Sequence, residues 1–326
     1  MGEYNFYNKN ELFYNIIYNK VYYRIIIMNE LFFEPKTTQY GSHMVMTNVH
    51  KTNKTKYINI DTRFREEYNY LKTSNYNIML PERITDVKSM RIVSAEIPIS
   101  FFNISSSLGN NYFYINSTLI TIPDGQYNTI LLSSAVNNSI KNTSISNNVL
   151  YSLSGDVYDV SGTISYFKTI STITINFAVN VDGTPDKYNF KSKLGWLLGF
   201  RNPTYTLTSP TKSITSEALV DINGPRYLLL AIEEFNKGNQ PSFIPALHSS
   251  ILNKNIIARI SLNKKQYDFG TILPANVING LLLSDTRSYT GKIDLLKLNI
   301  QLLNENGIVM NLNGMDFSFC IEVLHE

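Results

Sequence analysis

The end of the chain alternates, and that pattern limits the folds open to it. Leu296, Leu298, Ile300 and Leu302 alternate with Lys297, Asn299 and Gln301. Phe317, Phe319, Ile321 and Val323 alternate with Ser318, Cys320 and Glu322. Between the two runs lie the turn-formers Asn304-Glu305-Asn306-Gly307, a short predicted strand Ile308-Val309-Met310, and a second turn at Asn313-Gly314. Apolar residues at a period of two place one face of a strand in a core and the other in water. The two runs read together as a C-terminal hairpin with Leu298, Ile300, Phe317, Phe319 and Ile321 on one inner face.

Strand signals of this kind recur from Tyr57 onward. Tyr57–Ile60 opens the series, followed by the charged loop Asp61–Glu67. A strand over Asn77–Leu80 is expected to stop at Pro81, and Val87–Pro98 reads as a long buried strand. Tyr112–Ile115 and Leu119–Ile122 lead to the turn Pro123-Asp124-Gly125. Tyr127–Ser139 is the best helix candidate, with Ile130, Leu131 and Ala135 on one face. Asn137–Asn148 reads as a low-complexity surface loop. Further strands are expected at Val149–Ser152, around Ile164–Tyr166, at Ile173–Val179, Tyr227–Ile232 and Ile256–Leu262. Lys193–Phe200 reads as a short helical plug, and a Thr, Ser and Pro loop runs to Pro210. About a dozen strands with few helices give an all-β, mainly antiparallel sandwich or barrel with one or two short inserted helices. A βαβ sheet would need a helical crossover after each strand.

Residues 1–50 differ from residues 51–326. Tyr14, Ile16, Ile17, Tyr18, Val21, Tyr22, Ile25 and Ile26 crowd a stretch without Gly or Pro until Pro35. The stretch reads as an amphipathic helix, as an arm that adds a strand to a neighbour, or as a non-native extension, Gly41-Ser42-His43-Met44 matching an expression scar. Residues 51–326 read as one β domain, divisible into two packed β subdomains.

Composition excludes several classes of function. Charged residues make up 17 % of the 326, with 22 Tyr and 17 Phe, and this uncharged aromatic surface suits extended protein contacts. The net charge of +3 is spread along the chain, so nucleic acid is not an expected partner. The single cysteine forbids an internal disulfide framework. No stretch approaches the roughly 18 apolar residues of a membrane-spanning helix, and the polar start Met1-Gly2-Glu3-Tyr4-Asn5 is not that of a secretory signal.

The chain is poor in chemistry. It has no Walker loop, zinc-spaced Cys and His, HExxH helix or GxSxG elbow. Glu66-Glu67 and Glu233-Glu234 are the tight acidic pairs, and neighbours in a strand point apart, so both pairs read as solvated. Asp182-Gly183-Thr184-Pro185-Asp186 lacks the alternating ligands of a calcium loop and reads as a turn. Cys320 reads as a packed thiol, and His248 and His325 as surface histidines. Lone Trp196, in Leu194-Gly195-Trp196-Leu197-Leu198-Gly199-Phe200, reads as part of a core plug or as a stacking platform for a ligand. The sequons Asn103-Ile104-Ser105 and Asn142-Thr143-Ser144 are expected by chance in so Asn- and Ser-rich a chain. No catalytic, cofactor-binding or metal-binding residue is assigned, and no cofactor or small-molecule substrate is expected.

The order of several segments resembles a family of β-rich virion proteins from giant nucleocytoplasmic DNA viruses. The matching segments are Asp61-Thr62-Arg63, Asn77–Pro81, Val87–Pro98, Ile122–Tyr127, Leu194–Phe200, Asp221–Tyr227 and Asn313–Phe319. The resemblance covers about residues 57–326 and implies a jelly-roll-type fold. It implies a non-enzymatic minor capsid or penton-like protein of an icosahedral shell. The major capsid protein, other capsid proteins and further copies of the chain would be its partners. Such a protein would lie in the virion and assemble in the host cytoplasm. The competing reading is a β-sandwich module for a receptor or glycan, with Trp196 and exposed Tyr as stacking residues. A hydrolase built from distant acids is the third.

Overall fold

The computed structural model describes residues 52–65, 69, 73–145, 148–155, 159–167, 172–186, 188–208, 213–235 and 255–326. The N-terminal reading over residues 1–50, and Glu66, Glu67 and His248, lie outside the described residues. The body opens with β1 (Lys54–Asp61), the long β2 (Asn75–Pro98), β3 (Tyr112–Ile115) and β4 (Thr118–Thr121). Helix α1 (Thr129–Lys141) precedes β5 (Val149–Ser154), β6 (Ser161–Tyr166) and β7 (Ile173–Asn176). The short helix α2 (Leu194–Leu197) is followed by β8 (Thr204–Leu207), β9 (Ser213–Thr215) and β10 (Tyr227–Glu233). The chain closes with β11 (Ile256–Ser261), β12 (Ile272–Asn276), β13 (Leu282–Ser284), β14 (Arg287–Asn304) and β15 (Ser318–His325).

Pairings between these strands are antiparallel, and the fold is all-β of the sandwich type, with two α-helices among the described residues, as the alternation predicts. The largest sheet runs β1-β15-β2-β14-β10-β11-β13, with β12 also on β2. This sheet curls back on itself, so that the Ile92 amide in β2 donates to the Ser284 hydroxyl of β13 at 2.9 Å. The sheets β4-β3-β7-β8 and β5-β6-β9 come wholly from the middle of the chain. Two cores follow. The first draws on Ile60–Phe101 and Leu228–Val323, and the second on Ile104–Ile222. The middle of the chain is therefore inserted between β2 and β10, and the ends of the body pack together.

Several local expectations are corrected. Pro81 does not end a strand, because β2 runs through it as 24 residues from Asn75 to Pro98. Its missing N–H falls in a bulge: Met79 pairs with Lys297 and Ile84 with Leu295, so the residues between have no one-to-one partners on β14. The same bulge turns Leu295 into the core and leaves Leu296 half-exposed, against the alternation read from Leu296. The C-terminal runs do not form a hairpin, since β14 and β15 lie on opposite edges of β2. Their apolar faces still share the first core. Ile308–Met310 makes a single bridge, Val309 to Leu303, rather than a strand.

Helix α1 starts where Asn128 caps it, its side-chain oxygen accepting from the Leu131 amide at 2.8 Å. Its buried stripe is Leu132, Val136 and Ile140, at i, i+4 and i+8, while Ile130 and Leu131 face solvent. The helix continues through Lys141, into the stretch expected to be loop, because Asn137 is tied to β5. Its Nδ2 donates to the Tyr151 carbonyl and its Oδ1 accepts from the Tyr151 amide, both at 2.8 Å. The segment after Phe200 is likewise not a plain loop, since β8 forms within it and buries Tyr205 and Leu207.

Candidate interaction surfaces

The residues with chemical potential are placed in the fold apart from one another. Cys320 is half-buried in β15, and burial pushes its thiol pKa up, away from the thiolate a nucleophile needs. His325 ends the same strand, paired with Lys54 and Val87. The Asp182 carboxylate accepts from both the amide and the hydroxyl of Thr184, which closes a turn and lowers its pKa. Burial works against the Asp186 carboxylate, yet Lys193 at 3.1 Å and Asn189 hold its pKa below the ordinary value. No cluster of three His, Cys, Asp or Glu side chains with metal-binding geometry occurs among the described residues.

Glu234 overturns the expectation that the Glu233-Glu234 pair is solvated. The two do point apart, and Glu233 takes the outer side, where it accepts from the Phe235 amide at 2.9 Å. Glu234 is buried against Arg287, whose side chain is also wholly buried. Arg287 further donates to the carbonyls of Ile232 at 2.7 Å and Asn255 at 2.5 Å. Sequence gives no hint of this pair, because its members are far apart in the chain.

Trp196 is half-buried rather than presented. The Arg201 guanidinium lies 4.0 Å from the indole ring, held there by bonds to the Trp196 and Phe200 carbonyls. Phe190 stands perpendicular to the indole at 5.6 Å. These neighbours occupy the ring contacts that a stacking platform would offer to a ligand. Around it the Leu194–Phe200 segment behaves as a plug: a Cβ on Gly195 would run into the Phe177 ring, and one on Gly199, at φ +89°, into the Ala218 carbonyl.

The segments that matched in sequence order are joints in space. Asp61-Thr62-Arg63 meets Asn313–Phe319, the Thr62 hydroxyl donating to Asp316 at 2.8 Å and accepting from the Phe317 amide at 2.9 Å. Buried Arg65 closes the joint with a 2.5 Å ion pair to Asp316. Ile122–Tyr127 and Asp221–Tyr227 meet at buried Asn103, which in the sequence reads only as part of a chance sequon. Its Nδ2 donates to the carbonyls of Tyr127 at 2.7 Å and Ile222 at 2.8 Å, and its Oδ1 accepts from the Tyr127 amide at 2.9 Å. An amide so committed is closed to a glycan in the folded chain. Only its position between two apolar cores, Phe101 in one and Ile104 in the other, could have marked it.

Exposed apolar side chains gather near these joints. A surface cleft of about 290 Å³ lies beside Pro98, Ile272, Met315 and Phe317, with Asp61, Arg63 and Glu96 also on its wall. Ile272 and Met315 are exposed there. Beyond β12, Ile278 is 98 % exposed at the tip of a turn that is nonetheless rigidly built. Asn276 and Asn279 exchange amide-to-side-chain bonds across that turn at 3.1 and 2.8 Å, and Asn279 also donates to the Pro274 carbonyl at 2.6 Å. A large aliphatic side chain held out to water on a fixed turn suits contact with another surface.

Two packed β cores with tied joints and exposed apolar edges define a mainly antiparallel all-β protein of the sandwich class. No family model and no curated protein matches the chain. Among solved structures it is similar to the SeMet-labelled mavirus penton protein, over 84 % of this chain and 99 % of that one. The identity is 8 % and the TM-score 0.40, too low for that structure to carry any conclusion about this chain.

Proposed function

We propose that the chain is a non-enzymatic structural component of an icosahedral viral capsid, of the minor-capsid or penton type, built on a jelly-roll-like body over residues 51–326. One observation carries the reading: the segments that resemble the virion family serve as joints. Thr62 with Asp316, and Asn103 with Tyr127 and Ile222, tie together parts of the chain remote in sequence. A shell protein needs such rigidity, because its contacts work only if held in fixed relative positions.

Its partners are then protein surfaces: the major capsid protein, other capsid proteins and further copies of this chain. The exposed aliphatic residues Ile272, Ile278 and Met315 supply contact area, and the low charge keeps repulsion between copies small. Nucleic acid and small molecules are not partners in this reading, and the location is the virion after assembly in the host cytoplasm. The receptor or glycan reading loses its best residue, since Arg201 already lies over Trp196.

The test is retention in particles. Virions are purified, stripped with high salt, and this chain is quantified against the major capsid protein. A fixed ratio that survives stripping is the expected result. Absence from particles, with abundance in infected cytoplasm, would remove the capsid role.

A further inference from the structure

Two edge strands that flank β2 and β15 end differently. In β12 the Thr271 carbonyl accepts from the Ile99 amide at 2.8 Å, so the alternation of an antiparallel ladder turns the backbone of Pro274 away from β2. Proline offers no N–H on that edge, and its carbonyl accepts from Asn279 Nδ2 at 2.6 Å. The β12 edge is blunted. That of β1 is not. Among the described residues, β1 pairs with β15 on one side and with no strand on the other. The Thr62 amide donates to the Phe317 carbonyl at 3.0 Å, which directs the backbone groups of Lys56, Ile58 and Ile60 to β15. Those of Thr55, Tyr57, Asn59 and Asp61 face outward. The strand has no Pro, Gly or bulge, and a groove of about 270 Å³ lined by Ile58, Ile78, Leu80 and Ile84 runs beside it.

We infer that the outward edge of β1 takes the β1 of a second copy, antiparallel about a two-fold axis through Ile58. The strand is self-complementary in that register. Thr55 stands opposite Asp61 and Tyr57 opposite Asn59, so the outward backbone groups of each copy meet those of the other. Ile58 meets Ile58 of the second copy on the groove side, where it and Ile78 are only partly buried in the single chain. Charge selects this partner and this direction. Lys54 and Lys56 stand at the start of β1 and Asp61 at its end, so antiparallel pairing carries the basic end of each copy to the acidic end of the other. Parallel addition would stack the lysines of the two copies. Lys56 falls opposite Ile60 and keeps its ion pair with Glu82, at 3.0 Å, so no like charges face each other across the seam. Backbone bonds supply affinity in such a contact, and the alternate side chains supply register. It uses neither Ile272, Ile278 nor Met315, so it stands or falls apart from the capsid reading.

Light-scattering mass and residue-resolved hydrogen exchange on the full-length chain, over a concentration series, test this. The mass is expected to double as concentration rises. In the dimer the amides of Thr55, Tyr57 and Asn59 should slow on the order of tenfold or more, while those of Lys56, Ile58 and Ile60, already bonded to β15, change little. Asn59→Pro removes one outward amide and leaves the β15 ladder whole, so it should abolish the doubling at an unchanged unfolding midpoint. Ile58→Lys sets like charges on the axis and should weaken association by about tenfold or more, a second reading should the proline variant fail to fold. A mass that stays single throughout overturns the inference. So do outward amides whose exchange is the same at every concentration, whether fast or slow. A dimer that survives both variants also overturns it, because another surface then joins the copies.

Discussion

The Arg287 guanidinium lies 2.7 Å from the Glu234 carboxylate, and neither side chain is exposed to solvent. Arg287 opens β14 and Glu234 follows β10, so the pair fastens two neighbouring strands of the large sheet at one end. With its bonds to the Ile232 and Asn255 carbonyls, Arg287 joins β10 to the start of β11. Removing one partner leaves a buried charge alone. Glu234→Gln and Arg287→Met should each cost roughly 3–5 kcal/mol in denaturant unfolding. The double change Glu234→Leu/Arg287→Leu should recover much of that loss, and a double variant no better than the singles would contradict this account.

Asn103→Ala should loosen the junction between the cores. It strips the Tyr127 amide, the Tyr127 carbonyl and the Ile222 carbonyl of their partner, and at about 1–3 kcal/mol for each buried orphan a loss of at least about 3 kcal/mol is expected. Thermal unfolding checks the magnitude. An unchanged midpoint would show that the amide is not a joint.

Lys264 gives a pH signature. Burial beside Gly224 and Asn103 holds its ammonium down to about 8 from an ordinary 10.5, against the pull of Asp221 and Glu305. A depressed ammonium means that the folded chain binds fewer protons than the unfolded chain between those values. Stability from this group therefore rises with pH across that window, and the penalty is fully present below about 8. Lys264→Met should stabilise the chain at neutral pH by about 1–2 kcal/mol, the full shift being discounted for partial exposure. The gain should fade by pH 10.5, and a gain independent of pH would assign it to packing alone.

Phe319 sits at the centre of the first core, buried and stacked on Phe317 with ring centroids 5.8 Å apart. Phe319→Ala should cost roughly 3–5 kcal/mol. A chain ending at Asn304 loses β15, the strand between β1 and β2, and should show no cooperative unfolding transition. A cooperative transition in that truncated chain would mean that β15 is peripheral.

Which segments become strands was decided locally. A period of two around Ile173, Ile175, Phe177 and Val179, or around Phe317, Phe319, Ile321 and Val323, buries one face whatever the partner, and each of these residues is buried. The helix was legible for the same reason, but its buried face was not, because Ile130 and Leu132 differ only in what lies over them. Tertiary structure decided the rest. The placing of β2 between β14 and β15 joins residues about two hundred or more apart, and neither the turns nor the alternation carries that distance. The bulge opposite Pro81 exchanged Leu295 for Leu296 at the core, since it shifts the alternation by one residue on one side only, while Leu298, Ile300 and Leu302 keep the predicted face. Glu234 and Asn103 look like ordinary polar residues in the sequence. Their burial came from the two partners, Arg287 and the backbone around Tyr127 and Ile222, that the fold alone could bring to them.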